Sequence, residues 1–249
     1  MLPDIWTVCL KEWQEILYQR NKKWQTLLGE LFSLAIFGIG FPLPLDSSGI
    51  DTSTTFTLWY IVPSLLVMLK VPDSFAGERE RHTLPTLLAT RLSDNAVVLG
   101  KISAAVAYGW TAAIIASLFG LIKVNVIDLK NAPIFYPLDL YLLGLGLSLL
   151  TAISIATLGI LVSLRAKTVK QALQSLALYY VAVCLIPIIA LLVAEFLLPE
   201  TINKNIALVL RELDSTTFTL TGLLCFAIVD LLLVVFTLKR FKRNQLMLD

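Results

Sequence analysis

Six apolar stretches, each near twenty residues long, divide the chain and decide what it can fold into. They run over roughly 27–45, 54–72, 102–122, 138–163, 172–197 and 216–238. An α-helix rises 1.5 Å per residue, so about 20 apolar residues cross the ~30 Å hydrocarbon core of a bilayer. No lysine or arginine lies deep inside any of them, although Lys70 sits near the end of the second. Apolar residues make up 57% of the 249-residue chain and the mean hydropathy is +0.80. A soluble domain carries only about 45–50%. The expected fold is therefore an all-α integral membrane protein with six transmembrane helices. The connections are too short for another folded domain, so residues 1–249 read as a single membrane domain. Its parts would be an interfacial helix (1–26), a six-span bundle (27–238) and a basic tail (239–249). The first apolar run starts behind a charged and aromatic segment, unlike a cleavable signal peptide, so the amino end is expected to be retained.

Basic residues then set the orientation. Four precede the first stretch (Lys11, Arg20, Lys22, Lys23) and none separates the first from the second. Five surround the second connection (Lys70, Arg79, Arg81, Arg91, Lys101), two fall in the third, three in the fourth (Arg165, Lys167, Lys170), two in the fifth and four in the tail (Lys239, Arg240, Lys242, Arg243). Sixteen of the twenty thus belong to alternate segments. Basic connections stay on the cytoplasmic side, which predicts both termini inside and a multi-pass protein of the plasma (inner) membrane facing its anionic leaflet.

Outside the spans, Trp6, Cys9, Trp13, Ile16 and Leu17 recur at helical steps, while Lys11, Glu12, Gln14, Glu15 and Gln19 occupy other faces. That predicts an amphipathic helix over residues 5–24, lying on the cytoplasmic membrane surface or packed on other helices. A second such pattern (Ile202, Ile206, Val209, Leu213) predicts a short outer helix between spans five and six. Trp59 and Tyr60 read as outer interface markers of span two. Ser148, Ala152, Ala156, Gly159 and Ser163 form a small-residue stripe suited to close helix packing, and Pro63 and Pro187 are candidate kinks. Cys9, Cys184 and Cys225 lack metal or redox spacing, and Glu30 and Glu195 lie near span ends within reach of water. His82 is the sole histidine, so neither a Ser/His/Asp triad nor a histidine metal site in the membrane has support. No repeat relates the two halves, which weakens a carrier built from inverted repeats. Nothing points to a nucleic-acid partner.

The second connection is unusual. Glu78, Arg79, Glu80 and Arg81 form a dense mixed-sign block, followed by Leu84, Leu87, Leu88 and Leu92 at helical spacing. A solvated loop needs only the charges, and a membrane-surface helix would favour a net basic face. Paired charges with spaced leucines suit docking against another protein.

The segment GERERHTLPTLLATRLS, with LGK at 99–101, resembles the cytoplasmic signature of ABC type-2 transporter permeases. Glu78, Glu80, Arg81, Thr83, Leu87, Leu88, Ser93, Gly100 and Lys101 stand at matching positions, whereas His82 replaces the usual glycine and Arg91 the usual proline. The resemblance implies that residues 73–95 form a coupling helix seated in a separate ABC ATPase subunit, with Glu78, Arg79, Glu80, Arg81, Thr83, Leu87 and Leu88 at the contact. It also implies a homodimer, or a heterodimer with a related permease. The chain lacks a Walker A pattern, so it is not expected to be an enzyme; ATP and Mg would belong to the partner, with no cofactor here.

Asp230 lies deep in the sixth stretch, where a carboxylate costs about 2.5–3.5 kcal/mol on insertion scales and needs a partner or a wet cavity. With Thr151 and Ser154 it is a candidate for the substrate path. The leading expectation is the permease of an ATP-driven exporter of an apolar or amphipathic substrate. A proton-coupled secondary transporter using Asp230, or a non-transporting membrane assembly protein, are the alternatives.

Overall fold

In the computed structural model of the chain, residues 2–17, 23–40, 45–46, 49–50, 52–127, 135–182 and 215–241 are described. Helix α1 covers Leu2–Leu17, α2 covers Lys23–Gly40 and α3 covers Thr52–Lys70. A two-residue antiparallel bridge, β1 (Leu45–Asp46) with β2 (Gly49–Ile50), joins α2 to α3. After α3 come a 3₁₀ turn (Val71–Asp73), α4 (Ala76–Glu80) and α5 (Leu84–Leu88). The long helices α6 (Asp94–Ile127) and α7 (Leu138–Arg165) follow. Helix α8 is described over 169–182, and α9 covers Ser215–Arg240. Apart from the small bridge, the described residues are helices and turns. Helix therefore occupies each apolar stretch, the fifth as far as it is described. The stretches Asp94–Val126, Leu138–Arg165 and Leu220–Arg240 are each long and apolar enough to cross a membrane. The outer helix expected around 202–213, together with Pro187, Cys184 and Glu195, lies outside the described residues.

α6 is the central element and packs against α1, α2, α3 and α7. It begins two turns before the apolar run because Ser93 caps it: Ser93 Oγ accepts from Ala96 N at 3.3 Å, satisfying one of the orphan amides of the first turn. The main core joins Val67, Val71 and Phe75 to Val97, Val98 and Ile102 of α6 and to Ala152, Ala156 and Ile160 of α7. Fully burying a side chain such as Phe75 contributes about 1.5–3 kcal/mol. The small-residue stripe of α7 does what its composition implies: Ser148, Ala152, Ala156, Gly159 and Ser163 are all buried. Pro63 sits inside α3, which continues as a helix on both sides of it.

Trp59 departs from the sequence reading. Its side chain is fully buried, edge-on to Tyr141 at 5.5 Å, with its ring against Gly144 where a β-carbon would lie 2.6 Å from Nε1. By helix rise it lies ~16 Å from Lys70, in the middle of α3, so the ring fills the space vacated by a glycine instead of marking a headgroup layer. Tyr60 likewise stacks on Tyr180 of α8 at 6.5 Å.

α1, described over Leu2–Leu17, divides its faces differently from the sequence reading. Trp6 is 63% exposed, whereas Val8 and Glu12 are buried. The tight approach to α6 is made at Gly100, where a β-carbon would meet Val8 Cβ at 2.6 Å and Ile5 O at 3.1 Å. Close backbone approach turns the helix so that Glu12, expected on the wet side, enters the interior. α9 behaves in the opposite way: Leu224, Leu231 and Leu232 are 63–66% exposed, and Asp230 and Thr237 mark the narrow stripe held by the bundle. So much exposed aliphatic surface suits lipid or another apolar partner, not water.

Candidate functional site

The mixed-sign block lies at the end of the bundle where α3, α7 and α9 terminate and α6 begins, and its four charges engage four different parts of the chain. Glu78 is buried (4% exposed). Its Oε1 accepts from Lys101 Nζ of α6 and from Lys11 Nζ of α1, each at 3.2 Å. Lys101 Nζ also donates to Glu12 Oε1 at 2.6 Å and to the Ser74 carbonyl at 2.9 Å, and stands 5.0 Å above the Phe75 ring. Lys101, Lys11, Glu12 and Glu78 are thus a near-neutral cluster welding α1, the α3–α4 turn and α6. Burial pushes the Glu12 carboxyl above its ordinary range despite the pull of Lys101 and Lys11. Burial alone would lower the Lys11 ammonium, but Glu78, Glu12 and Glu15 together raise it.

Arg79 serves the end of α7. Its guanidinium donates to the Leu164 carbonyl at 3.1 Å and to the Ala166 carbonyl, groups that the helix leaves without intrahelical partners. Glu80 does the converse for α8: its Oε1 accepts from Val169 N at 2.9 Å, at the start of that helix. A cation at a helix C-terminus and an anion at a helix N-terminus each match the local dipole, which accounts for the alternation of sign along the block. Arg81 pairs with Asp73 at 2.5 Å, but both are about half exposed, so the pair contributes under ~1 kcal/mol.

Ser163 completes the arrangement and carried no distinguishing signal in the sequence beyond its place in the small-residue stripe. Its hydroxyl donates to the Pro72 carbonyl at 2.9 Å and accepts from Phe75 N at 3.0 Å and Ala76 N at 2.8 Å, using its full hydrogen-bonding capacity to seat the start of α4. Phe75 meets Phe241, just beyond α9, with ring centroids 5.5 Å apart.

α4 ends in a Schellman arrangement. Thr83 N donates to Glu78 O at 2.9 Å and His82 N to Arg79 O at 3.1 Å, with His82 at φ 57°. His82 therefore adopts the left-handed conformation a glycine takes at no steric cost. The backbone is the one a glycine would give; the histidine bears the strain.

The leucines of the segment turn inward. Leu84 is buried in the main core, and Leu87 and Leu92 pack against it. Leu84 is thus not free to supply area to another protein, while Leu87 and Leu92 are half-buried against the chain's own core. The side chain of Leu88 lies outside what is described. What is exposed is mostly polar: His82, Thr83, Thr86, Thr90 and Arg91, with the small Pro85 and Ala89 between them.

Thr151, Ser154 and Asp230 lie apart from this cluster, along the α7–α9 contact. Ser154 donates to Asp230 Oδ1, and Thr151 is buried with its hydroxyl returned to the Ser148 carbonyl at 3.0 Å. Asp230 is 3% exposed, and its Oδ2 has no partner among the described residues. Ser154 and Asp230 are brought together; Thr151 is satisfied within its own helix. No cluster of His, Cys, Asp and Glu suited to a metal occurs among the described residues.

A helical bundle with membrane-length apolar helices and a short helical segment clasped to one end defines a multi-pass membrane protein. The sequence model of the ABC-2 family of transporter proteins matches residues 48–246, and the chain belongs to that family. It is an ABC transporter permease, a class of membrane subunit that associates with an ABC ATPase. The match takes in the whole clasp except its α1 members, Lys11 and Glu12. A comparison with curated proteins found no match.

Proposed function

We propose that the chain is the transmembrane subunit of an ATP-driven exporter. Six helices cross the plasma (inner) membrane with both termini cytoplasmic, and two such permeases, identical or related, enclose the path of an apolar or amphipathic substrate. The projection formed by α4 and α5 seats in an ATPase subunit that supplies ATP and Mg. Its contact surface is the polar turn from His82 to Arg91, while Glu78, Arg79 and Glu80 hold that turn in place from beneath. The observation that carries this reading is the clasp, which except for Lys11 and Glu12 falls in the family-matched region: its charges bind the projection to α1, α6, α7 and α8, so a push on the turn would move the bundle.

The test is capture of the ATPase by the full-length permease. A Thr86→Asp/Arg91→Glu variant should keep the thermal stability of the parent chain yet lose ATPase capture. Glu78→Gln should lower the stability of the permease itself. Undiminished capture and transport with the surface variant would reject the docking surface. Transport that persists without ATP and collapses with the proton gradient and with Asp230→Asn would reject the exporter.

A further inference from the structure

α7, α8 and α9 enclose a cleft of about 630 Å³ that the clasp does not use. Its rim carries Arg165, Arg240, Gln171 and Ser175, and its deeper wall is apolar, with Leu158 and Leu161 on α7 and Leu233 and Phe236 on α9. From Arg165 to Leu158, and from Arg240 to Leu233, helix rise gives ~10 Å of depth. The cleft is amphipathic in the sense of a lipid: two cations at the mouth and a hydrocarbon wall beneath.

The two arginines are available. The carbonyls ending α7 are already served by Arg79, so Arg165 is not needed there; it is exposed and makes no ion pair among the described residues. Arg240 lies over its own helix's Phe236 ring at 5.7 Å and likewise has no carboxylate partner among the described residues. No Asp or Glu lines the cleft among the described residues. Guanidinium groups match phosphate oxygens in a bidentate fashion, and the anionic inner leaflet lies at this end of the bundle under the orientation proposed above, on which this step rests.

We propose that the cleft binds one anionic phospholipid of the cytoplasmic leaflet, with Arg165 and Arg240 on the phosphate and an acyl chain along Leu158, Leu161, Leu233 and Phe236. The site adjoins the clasp. Ala166 and Phe241 both line it, and these residues contact Arg79 and Phe75 respectively. An occupant therefore fixes the end of α9 relative to the base of the projection.

Native mass spectrometry of the full chain released from detergent, titrated with phosphatidylglycerol, phosphatidylcholine or inorganic phosphate, tests the site without requiring an ATPase or a membrane orientation. One phosphatidylglycerol should bind at least roughly tenfold more tightly than phosphatidylcholine, whose choline cation offsets the charge of the phosphate that both lipids share. Arg165→Gln/Arg240→Gln should remove the preference for the anionic headgroup. Leu158→Trp, which fills the apolar wall and keeps both arginines, should weaken both lipids. Equal binding of the two lipids, or an anionic preference that survives the double variant, overturns the proposal. Inorganic phosphate competing as well as the lipid also overturns it, in favour of a soluble anion. Failure here leaves ATPase capture untouched, and failure of ATPase capture leaves this binding untouched.

Discussion

Replacing Lys101 by Met tests whether the buried cluster holds the clasp together. Methionine keeps most of the apolar stem but removes the ammonium that joins Glu12, Glu78 and the Ser74 carbonyl at 2.6, 3.2 and 2.9 Å and stands over Phe75. Lys11 remains 3.2 Å from Glu78 but is 3.9 Å from Glu12, so Glu12 is the group left without close compensation. Stranding a buried charge by removing its partner costs about 3–5 kcal/mol. Adding Glu12→Gln to Lys101→Met removes the stranded charge. The double variant should therefore be about 1–3 kcal/mol more stable than the sum of the single effects predicts.

The same variant carries a pH signature. Burial already holds the folded Glu12 carboxyl above 4.5, and losing Lys101 removes the largest influence pulling it down. A carboxyl raised on folding contributes stability that is fully present below its unfolded pKa and is lost as pH rises through the folded value. Lys101→Met should thus be least harmful near pH 4.5 and increasingly harmful above it, with the slope abolished by Glu12→Gln. Unfolding of the detergent-solubilised chain, followed by tryptophan fluorescence at about pH 5 and about pH 8, reads both effects. Additive single effects, or a loss independent of pH, would refute a compensated ion cluster.

Three further outcomes follow from particular contacts. Ser163→Ala leaves two buried amides and a carbonyl unpaired and should destabilise by about 2–4 kcal/mol, with faster proteolysis across residues 81–93; no change in either would remove Ser163 from the clasp. His82→Gly relieves the left-handed residue at the end of α4 and should raise stability by up to about 1 kcal/mol, read as a higher Tm. Gly100→Leu drives a side chain into Val8 and should lift α1 from α6, so that alkylation of the partly buried Cys9 accelerates; an unchanged rate would argue against that close approach.

Much of the architecture was legible because hydrophobic length and helix periodicity are local properties. Helix fills the described part of all six stretches except Leu45 at the end of the first, and the stripe from Ser148 to Ser163 packs as small residues should. The clasp was not legible because its partners are distant in sequence. Lys101 and Glu12 are separated by 89 residues, Arg79 and Leu164 by 85, and Glu80 and Val169 by 89. A single sequence states that Glu78 to Arg81 need partners but not whether those partners lie in the same chain. The same ambiguity misassigned Leu84 to an outer surface, since helical spacing is identical whether the facing wall is one's own core or another protein. Glu12 was assigned to the wet face because α1 was divided into two faces, whereas Gly100 allows a third, buried one against α6.

The placement of the charges bears on how force could pass through the molecule under the exporter reading. A projection attached only through its two chain ends would bend when pushed. Here the base of the projection is tied sideways as well, by Glu78 to α1 and α6, by Arg79 to α7 and by Glu80 to α8. Among the described residues, α9 joins this base through Phe241 on Phe75 and meets α7, and to a lesser extent α6, along a stripe that includes Asp230 and Ser154. Under that reading a small displacement of the turn between His82 and Arg91 would be shared by α1, α6, α7 and α8, and α9, which none of these four charges ties among the described residues, would lag. Close-packed interiors shift between discrete arrangements instead of deforming smoothly, so the α7–α9 contact is where such a bundle would change its packing. Crosslinking α7 to α9 through cysteines placed at Ser154 and Asp230 should leave ATPase capture intact and stop transport; transport surviving the crosslink would locate the moving contact elsewhere.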